Sequence, residues 1–574
     1  HAAQRRRGGD GDPRADRRAA MITRLAGGRV LDPANGIDGE PRDLFIDDGR
    51  IVGAPADGRI DRSFDLRGLV AMAGAIDIHS HVSGGKVNLA RLLMSEDHRD
   101  VTVARGALTR SGSGATTPSS FVTGHRYAAM GYTAAFEPAM VPSNARLTHL
   151  EMADLPIIDK GTYVMLGNDE LLLRMLAQGA EQERINDYVA WMMQATAALG
   201  VKTVNPGGIS AFKFNGRGLD VDQAGPQHGV TPRRIIQALA RALHELGVPH
   251  PLHTHCNNLG IPGNIDTTLA TVAAAEGFPI HLTHAQFHSY GTEGDRHFSS
   301  AAARLAEAVN RSANVTLDVG QIMFGQTVTA SGDTMAQYRN RVFASPDKWI
   351  EMDIECDGGC GLVPFRYRDK NFVNALQWAI GLELFLLIDD PWRVFLTTDH
   401  PNGAPFTAYP TLVRLLMDRS YRNDCLKALH PAAQKATNLA SIEREYTLEE
   451  IAIMTRASPA RLLGLADRGQ LGIGAAADVT VYVDDPDREK MFREPRYVFK
   501  DGIEVSGEGG IVALPMGATH VVRPDFDKGM TGPIKRFFDD HMSVGFAHFP
   551  LSPGELADAG IRVLEHACRP RTRA

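Results

Sequence analysis

Apolar and polar positions follow two different patterns along the chain, and the change of pattern divides the chain into segments. From Met21, short β-rich apolar runs are separated by Gly, Pro and Asp turns, which is typical of a small β domain. The same texture returns from Gly469, in GQLGIGAAADVTVYVDDP, and from Tyr497, in YVFKDGIEV. We therefore expect residues 21–72 and 468–524 to form one β-sandwich domain built from both ends of the chain.

The segment between these two parts, residues 73–467, alternates strand-like apolar runs with helical stretches. One of the helical stretches, EQERINDYVAWMMQATAALG, is amphipathic and ends at Gly200. Strands separated by crossover helices indicate a parallel α/β fold, and eight of them fit a (β/α)8 TIM-like barrel with its active site at the carboxyl ends of the strands. The eight predicted strands are residues 76–79, 133–136, 162–166, 201–204, 251–254, 280–283, 314–319 and 394–398.

Three further segments stand outside this regular pattern. The interval 320–392 is longer than one crossover helix, so we expect an insertion over the barrel mouth, where specificity is often determined. Residues 1–20 have no aromatic or branched apolar side chain and are expected to be disordered, with Met21 as a candidate start. Residues 525–574 form a C-terminal extension that could contact a partner protein.

Composition limits the classes of protein to consider. Among 574 residues, 43% are hydrophobic and 22% are charged, as in ordinary globular proteins, and no apolar stretch approaches the roughly 20 residues of a membrane span. The net charge of −7 gives no reason to expect nucleic-acid binding. The five cysteines are few and odd in number, and the pair Cys356 and Cys360 has no second pair beside it, so we expect reduced thiols in a cytoplasmic protein.

Side chains that commonly bind metals stand at or near the ends of several predicted strands. Each has an ordinary explanation when taken alone: a His-x-His pair is more often structural, Lys202 could be solvated or salt-bridged, and Asp399 could cap a helix. Together, in order on one rim of the barrel, they predict a metal site. They are His79 and His81 after the first strand, Lys202 in the fourth, His253 and His255 in the fifth, His284 and His288 after the sixth, and Asp399 after the eighth.

The residue types also suggest the chemistry. Neutral imidazoles and carboxylates suit zinc and similar ions. A lysine ammonium has no lone pair, but a desolvated lysine amine can lose its proton and react with carbon dioxide, and the resulting carbamate can bridge two metals. Asp399 can bind one ion and also accept a proton.

Motifs in the chain resemble the amidohydrolase superfamily, in its cyclic-amidase-like branch with a carboxylated lysine. The matching pieces are DIHSH, GVK, HCNN, LTH and TTDH. Longer strings, such as HVSGGKVNLARLLMSEDHR, LHTHCNNLGIPGN and TTDHPNGAPF, are similar to the family of A-type subunits from formylmethanofuran dehydrogenases and bacterial formyltransferase/hydrolase complexes. These strings run from about residue 77 to 405, and the flanking β segments agree with them.

The resemblance implies roles for individual residues. His253 shares a strand face with His255, but HCNN matches the family ligand position better; Lys213, the alternative to Lys202, lies beyond the break at Pro206. The implied substrate contacts are Asn257, His288 and Lys86, and the implied cofactors are two zinc ions and carboxylated Lys202. The implied metal ligands are His79, His81, Lys202, His255, His284 and Asp399, with Asp399 also the catalytic base or acid.

The resemblance further implies hydrolysis of the N-formyl amide of formylmethanofuran, or of an analogue, to formate and free amine. The chain would act as the A-type subunit of a complex that includes a formyltransferase subunit, in the tetrahydromethanopterin-linked one-carbon metabolism of methylotrophs. The Ala/Arg-rich composition favours the bacterial, hydrolytic direction.

Three alternatives remain open. The first is the formate-condensing A-type subunit of a formylmethanofuran dehydrogenase. The second is a cyclic amidase of the hydantoinase or dihydroorotase type. The third is a non-catalytic scaffold with the amidohydrolase fold, and the presence of all six ligand types counts against it.

Overall fold

The computed structural model describes residues 21–208, 218–226, 228–331, 354–356, 360–557 and 560–570. Residues 1–20 and the alternative ligand Lys213 fall outside the described residues. Within them, Cys256, Cys425 and Cys568 are free thiols. No helix in the described ranges is both long enough and apolar enough to cross a membrane.

Eight parallel strands form the barrel in the predicted chain order. Each strand pairs with the next one along the chain. A parallel bridge between Ser80 and His400, with a 2.9 Å hydrogen bond from the His81 N–H to the His400 carbonyl, joins the last strand to the first. The strands are β1 Ala75–Asp77, β2 Tyr132–Met140, β3 Asp159–Met165, β4 Gly200–Val204, β5 Leu252–His255, β6 Ile280–Leu282, β7 Val315–Asp318 and β8 Val394–Phe395.

Helices cover the outside of the barrel, which explains why its strands read as continuous apolar runs rather than alternating ones. The helix Pro232–Glu245 is an example: Thr231 accepts a hydrogen bond from the Arg234 N–H, Pro232 occupies the first turn, and Ile235 and Leu239 are buried against the barrel. The helices of eight or more residues are Gly84–Leu93, Ser120–Ala129, Ala145–Ala153, Glu170–Ala177, Gln182–Ala195, Pro232–Glu245, Ile265–Ala274, Ala302–Arg311, Phe372–Leu387, Tyr409–Met417, Arg419–Ala428 and Thr531–His541. Shorter helices are Ser95–Asp100, Pro431–Lys435, Leu448–Ala452, Ser458–Leu463, Arg488–Arg493 and Pro553–Leu556.

Both ends of the chain contribute to a small β domain, as the hydrophobic pattern predicts. Its strands connect into one nine-stranded mixed sheet, in which Leu69–Ala73 pairs antiparallel with Val479–Val483 and so joins the two ends. Leu25, Val30, Val479 and Val481 are buried in its core. The strands are Thr23–Asp32, Ile37–Asp47, Arg50–Val52, Arg62–Asp65, Leu69–Ala73, Val479–Val483, Tyr497–Lys500, Ile503–Gly507 and Gly510–Ile511.

The strand Thr519–Val522 departs from the expectation that residues 468–524 all belong to the β domain. It pairs parallel with β3, at Lys160, and with the strand Val563–His566, so it extends the barrel sheet. The reason is local: Asp159, at the start of β3, accepts a 2.7 Å hydrogen bond from the Ala518 N–H and holds this segment against the barrel. Further along, Phe538 and Phe549 pack against Trp191 of a barrel helix, each with its ring centroid 5.8 Å from the indole.

The interval between β7 and β8 carries the insertion predicted for residues 320–392. Its described part contains a three-stranded antiparallel sheet of Gly325–Ser331, Ile354–Cys356 and Cys360–Tyr367, followed by the helix Phe372–Leu387. Phe365 and Tyr367 pack with Leu259 and Phe287, which follow β5 and β6. The Tyr367 hydroxyl donates to the Asn402 carbonyl at 3.2 Å. The insertion therefore lies over the carboxyl end of the barrel.

The remaining strands of the described residues form two small hairpins. Thr102–Val103 pairs with Gly112–Ser113, and Tyr290–Gly291 pairs with Ser299–Ser300.

Candidate active site

The carboxyl ends of the barrel strands bring all six predicted ligand side chains together. Lys202 and His255 belong to β4 and β5, and the other four lie in the first residues after β1, β6 and β8. In the register of the parallel strands Lys202 of β4 is paired with His253 and Val204 with His255, so Lys202 stands two residues before the level of His255. Each is at most 3% exposed: His79, His81, Lys202, His255, His284 and Asp399.

Asp399 lies between the two histidines of the first strand. Its Oδ1 atom is 3.0 Å from Nε2 of His79 and 3.3 Å from Nε2 of His81. The ligand atoms of these three side chains all lie within 4.8 Å of one another. Nζ of Lys202 is 3.4 Å from the same Nε2 atom of His79. Lys202 therefore stands beside the first group of candidate ligands.

A second group of candidate ligands consists of three imidazoles. The ring centroids of His255 and His284 are 4.5 Å apart, and His288 lies 5.1 and 5.2 Å from them. One nitrogen from each ring lies within 4.8 Å of the nitrogens of the other two. Sequence reasoning placed the first two among the ligands and the third among the substrate contacts.

The hydrogen bonding of the second group fits a divalent metal. Nε2 of His255 and Nδ1 of His284 are buried, and neither has a hydrogen-bond partner among the described residues. A buried polar atom without a partner costs about 1–3 kcal/mol. Burial also holds the pKa of both imidazoles well below the usual value, so both are neutral and can donate a lone pair to an ion. The residues present therefore fit a metal of the zinc type.

The environment of Lys202 increases the fraction of neutral amine. The side chain is 1% exposed. Burial lowers its pKa to about 8, against the opposing attraction of Asp399. A neutral amine is the form that can react with carbon dioxide, and so the surroundings of Lys202 suit a carbamate.

Asp399 is ionised in this environment. Burial acts to raise its pKa, but the neighbouring imidazoles of His284, His79 and His81 outweigh burial and hold the pKa well below the usual value. Its backbone has a left-handed conformation with φ of 50°, and the Asn402 N–H donates to its carbonyl at 2.6 Å. The carboxylate is thus a fixed anion that can accept a proton.

Two acidic residues that sequence reasoning missed hold the candidate ligands in place. Oδ2 of Asp318, at the end of β7, is 3.2 Å from Nδ1 of His79, and its Oδ1 accepts from the His284 N–H at 2.9 Å. Glu137, in β2, is 3.0 Å from Nδ1 of His81 and accepts from the Val82 N–H at 2.9 Å. Such contacts fix the orientation of a ligand ring and raise its basicity. The sequence signal that could have identified these two residues is their position at or near the carboxyl ends of predicted strands.

His253 lies behind the first group of ligands rather than in it. Its Nε2 is 2.9 Å from Nδ1 of His79, and its Nδ1 is 3.0 Å from Nε2 of His250. Its ring nitrogens are therefore occupied by other imidazoles on the side of His79 that faces away from Asp399. This placement agrees with the preference for His255 as the ligand from β5.

Gly320 provides space that His284 requires. His284 has a left-handed backbone with φ of 35°, and a Cβ atom at Gly320 would lie 2.3 Å from the Cβ of His284. Gly320 itself has φ of 63°, a conformation that favours glycine. The segment after β7 thus packs directly on a candidate ligand.

The three predicted substrate contacts all lie close to the candidate ligands. Asn257 is 1% exposed; its amide donates to the Pro206 carbonyl at 3.2 Å, and its Oδ1 atom has no partner among the described residues. Lys86 lies half-buried in the helix Gly84–Leu93, and its charge lowers the pKa of both Lys202 and His255. His288 completes the three-imidazole group.

Known proteins resemble this chain over nearly its whole length. The model of the amidohydrolase family matches residues 62–505. The A-type subunit of the formyltransferase/hydrolase complex Fhc from Methylorubrum extorquens is 44% identical over 554 residues, covering 94% of this chain and 100% of that protein. Protein FwdA from Methanocaldococcus jannaschii is 39% identical over 551 residues, covering 92% of this chain and 96% of that protein.

A solved structure agrees with these sequence relatives. A chain in the crystal structure of the formyltransferase/hydrolase complex FhcABCD from Methylorubrum extorquens, in complex with methylofuran, aligns with a TM-score of 0.87 and 43% identity, over 96% of this chain and 100% of that one. The parallel barrel with its buried histidines, lysine and aspartate, and the extent of these matches, lead to one conclusion. The chain belongs to the amidohydrolase family, and within it to the group that includes these two relatives.

Proposed function

We propose that this protein hydrolyses the N-formyl amide of a formylmethanofuran-type carrier to formate and the free amine. It would act as the A-type subunit of a formyltransferase/hydrolase complex. The observation that carries the proposal is the site itself: an ionised Asp399 beside His79, His81 and Lys202, with a second imidazole group next to it. The likeness to a chain of a complex solved with methylofuran supports the choice of carrier.

The residues would hold two zinc ions. His79, His81 and Asp399 would hold one ion, His255 and His284 would hold the other, and a carboxylated Lys202 would lie between the two ions. When bound, the ions supply Lewis-acid polarisation of the formyl oxygen and lower the pKa of water toward neutrality. Glu137 and Asp318 would keep the ligand rings oriented.

Asp399 would move the proton during the reaction. Its carboxylate accepts a proton from the attacking water as the new C–O bond forms at the formyl carbon. The same group then gives that proton to the carrier nitrogen as the C–N bond breaks. Formate and a free amine result, and no electrons are transferred. The Oδ1 atom of Asn257, which has no partner among the described residues, can accept the amide N–H and orient the substrate.

The proposal includes partner subunits. The related bacterial chain was solved within a complex named FhcABCD, and its own name identifies a formyltransferase/hydrolase assembly. A formyltransferase subunit would load the carrier, and this chain would unload it. The Ala/Arg-rich composition favours hydrolysis over the condensing direction.

The test is an assay of the protein purified with its partner subunits. We expect release of formate and free amine, in equal amounts, from a formylated methanofuran-type carrier. Hydantoin and dihydroorotate should not be hydrolysed. The matched control is the same complex with Asp399→Asn, which should retain its metal and release no formate. Turnover of the cyclic amides alone would contradict the proposal, and so would a complex that folds without metal and is inactive on every amide.

A further inference from the structure

His288 has a polar ring in a buried position and no hydrogen-bond partner for it among the described residues. The side chain ends the 3-10 turn Ala285–His288, just after β6, and is 1% exposed. Neither Nδ1 nor Nε2 has a partner within the part of the chain that the structure describes. Leaving such atoms unpaired costs about 1–3 kcal/mol each, so a partner that is not a described protein atom is expected for at least one of them.

The position of the ring favours a metal ion as that partner. His288 lies 5.1 Å from His255 and 5.2 Å from His284, measured between ring centroids, and one nitrogen from each of the three rings lies within 4.8 Å of the others. Nitrogens bound to a tetrahedral zinc lie roughly 3.4 Å apart. The three nitrogens are therefore close enough together for one ion to be their common partner.

The backbone around His288 is fixed, which limits where its ring can point. Thr268 donates from its hydroxyl to the His288 carbonyl at 2.8 Å. Asn264 donates to the Phe287 carbonyl at 2.8 Å and accepts from the Tyr290 N–H at 3.0 Å. These two side chains therefore hold both sides of the turn, and the ring is presented to His255 and His284 without a large loss of conformational entropy on binding.

The two groups of candidate ligands also differ in charge. The first contains the carboxylate of Asp399, whereas the second contains only imidazoles. Three imidazoles fit zinc, which other catalytic sites hold with three histidines, and the carbamate proposed for Lys202 would supply the negative charge.

We propose that His288 is a metal ligand, and that the second metal position is built from His255, His284 and His288. The ligand is a divalent cation that prefers nitrogen, such as Zn²⁺. The inference rests on the proposed two-metal function, and it replaces a substrate-contacting role for His288 with a metal-binding one.

The test compares variants of the assembled complex by metal content and metal spectroscopy. After dialysis against a weak chelator, the unmodified complex should keep two metal ions per copy of this chain. His288→Ala should keep one, with the affinity for the second reduced at least about 10-fold. Asn257→Ala, which changes a buried side chain two residues after His255, is the matched control and should keep both ions.

A second variant reports direct coordination and guards against a folding defect. His288→Cys, loaded with Co²⁺, should show a sulfur-to-cobalt charge-transfer absorption that the unmodified complex and His288→Ala both lack. The inference is overturned if His288→Ala keeps both ions at unchanged affinity while its KM rises, which is the result for a substrate contact. It is also overturned if His288→Cys binds two cobalt ions without the charge-transfer band.

If the proposed function is wrong, the experiments give a different result from the one that overturns the His288 assignment. In that case the unmodified complex itself would hold no metal at either position, or would hold metal and leave the formylated carrier intact. The first result removes both proposals, and the second removes the proposed reaction and leaves the ligand assignment of His288 standing.

Discussion

Burial determines the chemistry of single side chains at the carboxyl end of this barrel. Lys202 is desolvated, and its pKa falls to about 8, whereas Asp399 stays ionised because the neighbouring imidazoles outweigh the effect of burial on its pKa. The two side chains both contact Nε2 of His79, at 3.4 and 3.0 Å. Lys202 therefore loses its charge more readily than an exposed lysine does, whereas Asp399, a few ångströms away, keeps its charge.

Asp399→Asn should separate metal binding from proton transfer. The amide keeps the shape of the side chain and one oxygen ligand, but it cannot accept a proton. We expect the metal content to be retained and kcat to fall by about 100-fold or more. Metal analysis and formate release on the same preparation check this, and a variant with undiminished kcat would exclude Asp399 as the base.

Lys202→Ala should remove the bridge between the two proposed ions. We expect metal content to fall below two ions per chain and formate release to be lost, because the alanine cannot form a carbamate. Addition of a short carboxylic acid, which can replace the carbamate, should partly restore both. Full metal content and full rate in this variant would show that Lys202 is not the bridging residue.

The candidate ligands could be proposed from sequence because each lies at or near the end of a strand, and strand ends can be located from apolar runs. Glu137 and Asp318 also stand at or near predicted strand ends, but that position does not reveal which residue each of them contacts. Asp318 acts on His79 across 239 positions of sequence, through a contact that exists only after the barrel closes. His288 was placed among the substrate contacts because sequence gives no distance between its ring and that of His255.

At the scale of strands and turns, the segment after β7 controls the position of a candidate ligand. Gly320→Ala would place a Cβ atom 2.3 Å from the Cβ of His284. We expect a loss of about 1–2 kcal/mol in unfolding free energy from the left-handed backbone alone. The clash should add a loss of metal affinity, measured by chelator competition.

The control for this change is Gly277→Ala. Gly277 has a similar backbone, with φ of 84°, but a Cβ atom there would meet nothing within 4 Å. Gly277→Ala should lose comparable stability and keep the metal affinity of the unmodified protein. Equal metal affinity in both variants would contradict the role given to Gly320.

The contact between two helices should make stability depend on pH. His149, in the helix Ala145–Ala153, is buried and lies 2.9 Å from the carbonyl of Thr196, at the end of the helix Gln182–Ala195. Burial lowers its pKa from 6.5 to about 4. As pH falls below 6.5, His149 becomes protonated in the unfolded chain, whereas in the folded chain it stays neutral down to about pH 4. The folded state therefore loses stability as pH falls over this interval.

His149→Asn should remove this contribution. As pH falls from 6.5 to 4, the unfolding free energy of the unmodified protein should drop relative to that of the variant, by up to about 3 kcal/mol. Denaturant titrations at several pH values measure the difference. A difference that stays constant with pH would mean that His149 is protonated equally in both states.

The positions of the strands along the chain were predicted better than the pairing between strands. All eight barrel strands occur where apolar runs indicated them, although β8 ends at Phe395 rather than at 398, because the chain then turns toward the closing bridge at His400. The strand Thr519–Val522 has the same apolar texture as the strands of the β domain. Its pairing with β3 is accompanied by the hydrogen bond that Asp159 accepts from the Ala518 N–H, a contact that no periodicity reveals.

At the scale of the whole molecule, one buried ion network connects the barrel, the β domain and the C-terminal segment. Arg468 is 2.8 Å from Asp159 of β3 and 3.3 Å from Asp478 near the β-domain strands. Lys500 is 3.1 Å from both of these carboxylates, and Nε2 of His520 lies 3.1 Å from Asp159. The network fixes three parts of the chain at one point, on elements that are far apart in sequence.

Arg468→Met should destabilise the protein strongly. It would leave buried carboxylates with less positive charge beside them, a change that costs about 3–5 kcal/mol. Arg311→Met is the control, because Arg311 forms an ion pair with Glu307 on an exposed helix surface, where such a pair contributes less than about 1 kcal/mol. Thermal unfolding of the two variants compares them, and similar midpoints would contradict a structural role for the network.

The bridge between Ser80 and His400 has a consequence for how the protein is made. His79 leaves the ribosome more than three hundred residues before Asp399, and the two meet only when the last strand docks beside the first. No growing chain that ends before Asp399, and no fragment lacking β8, can assemble the first group of ligands. The first group of candidate ligands therefore forms only in a chain that extends through Asp399 and whose barrel has closed.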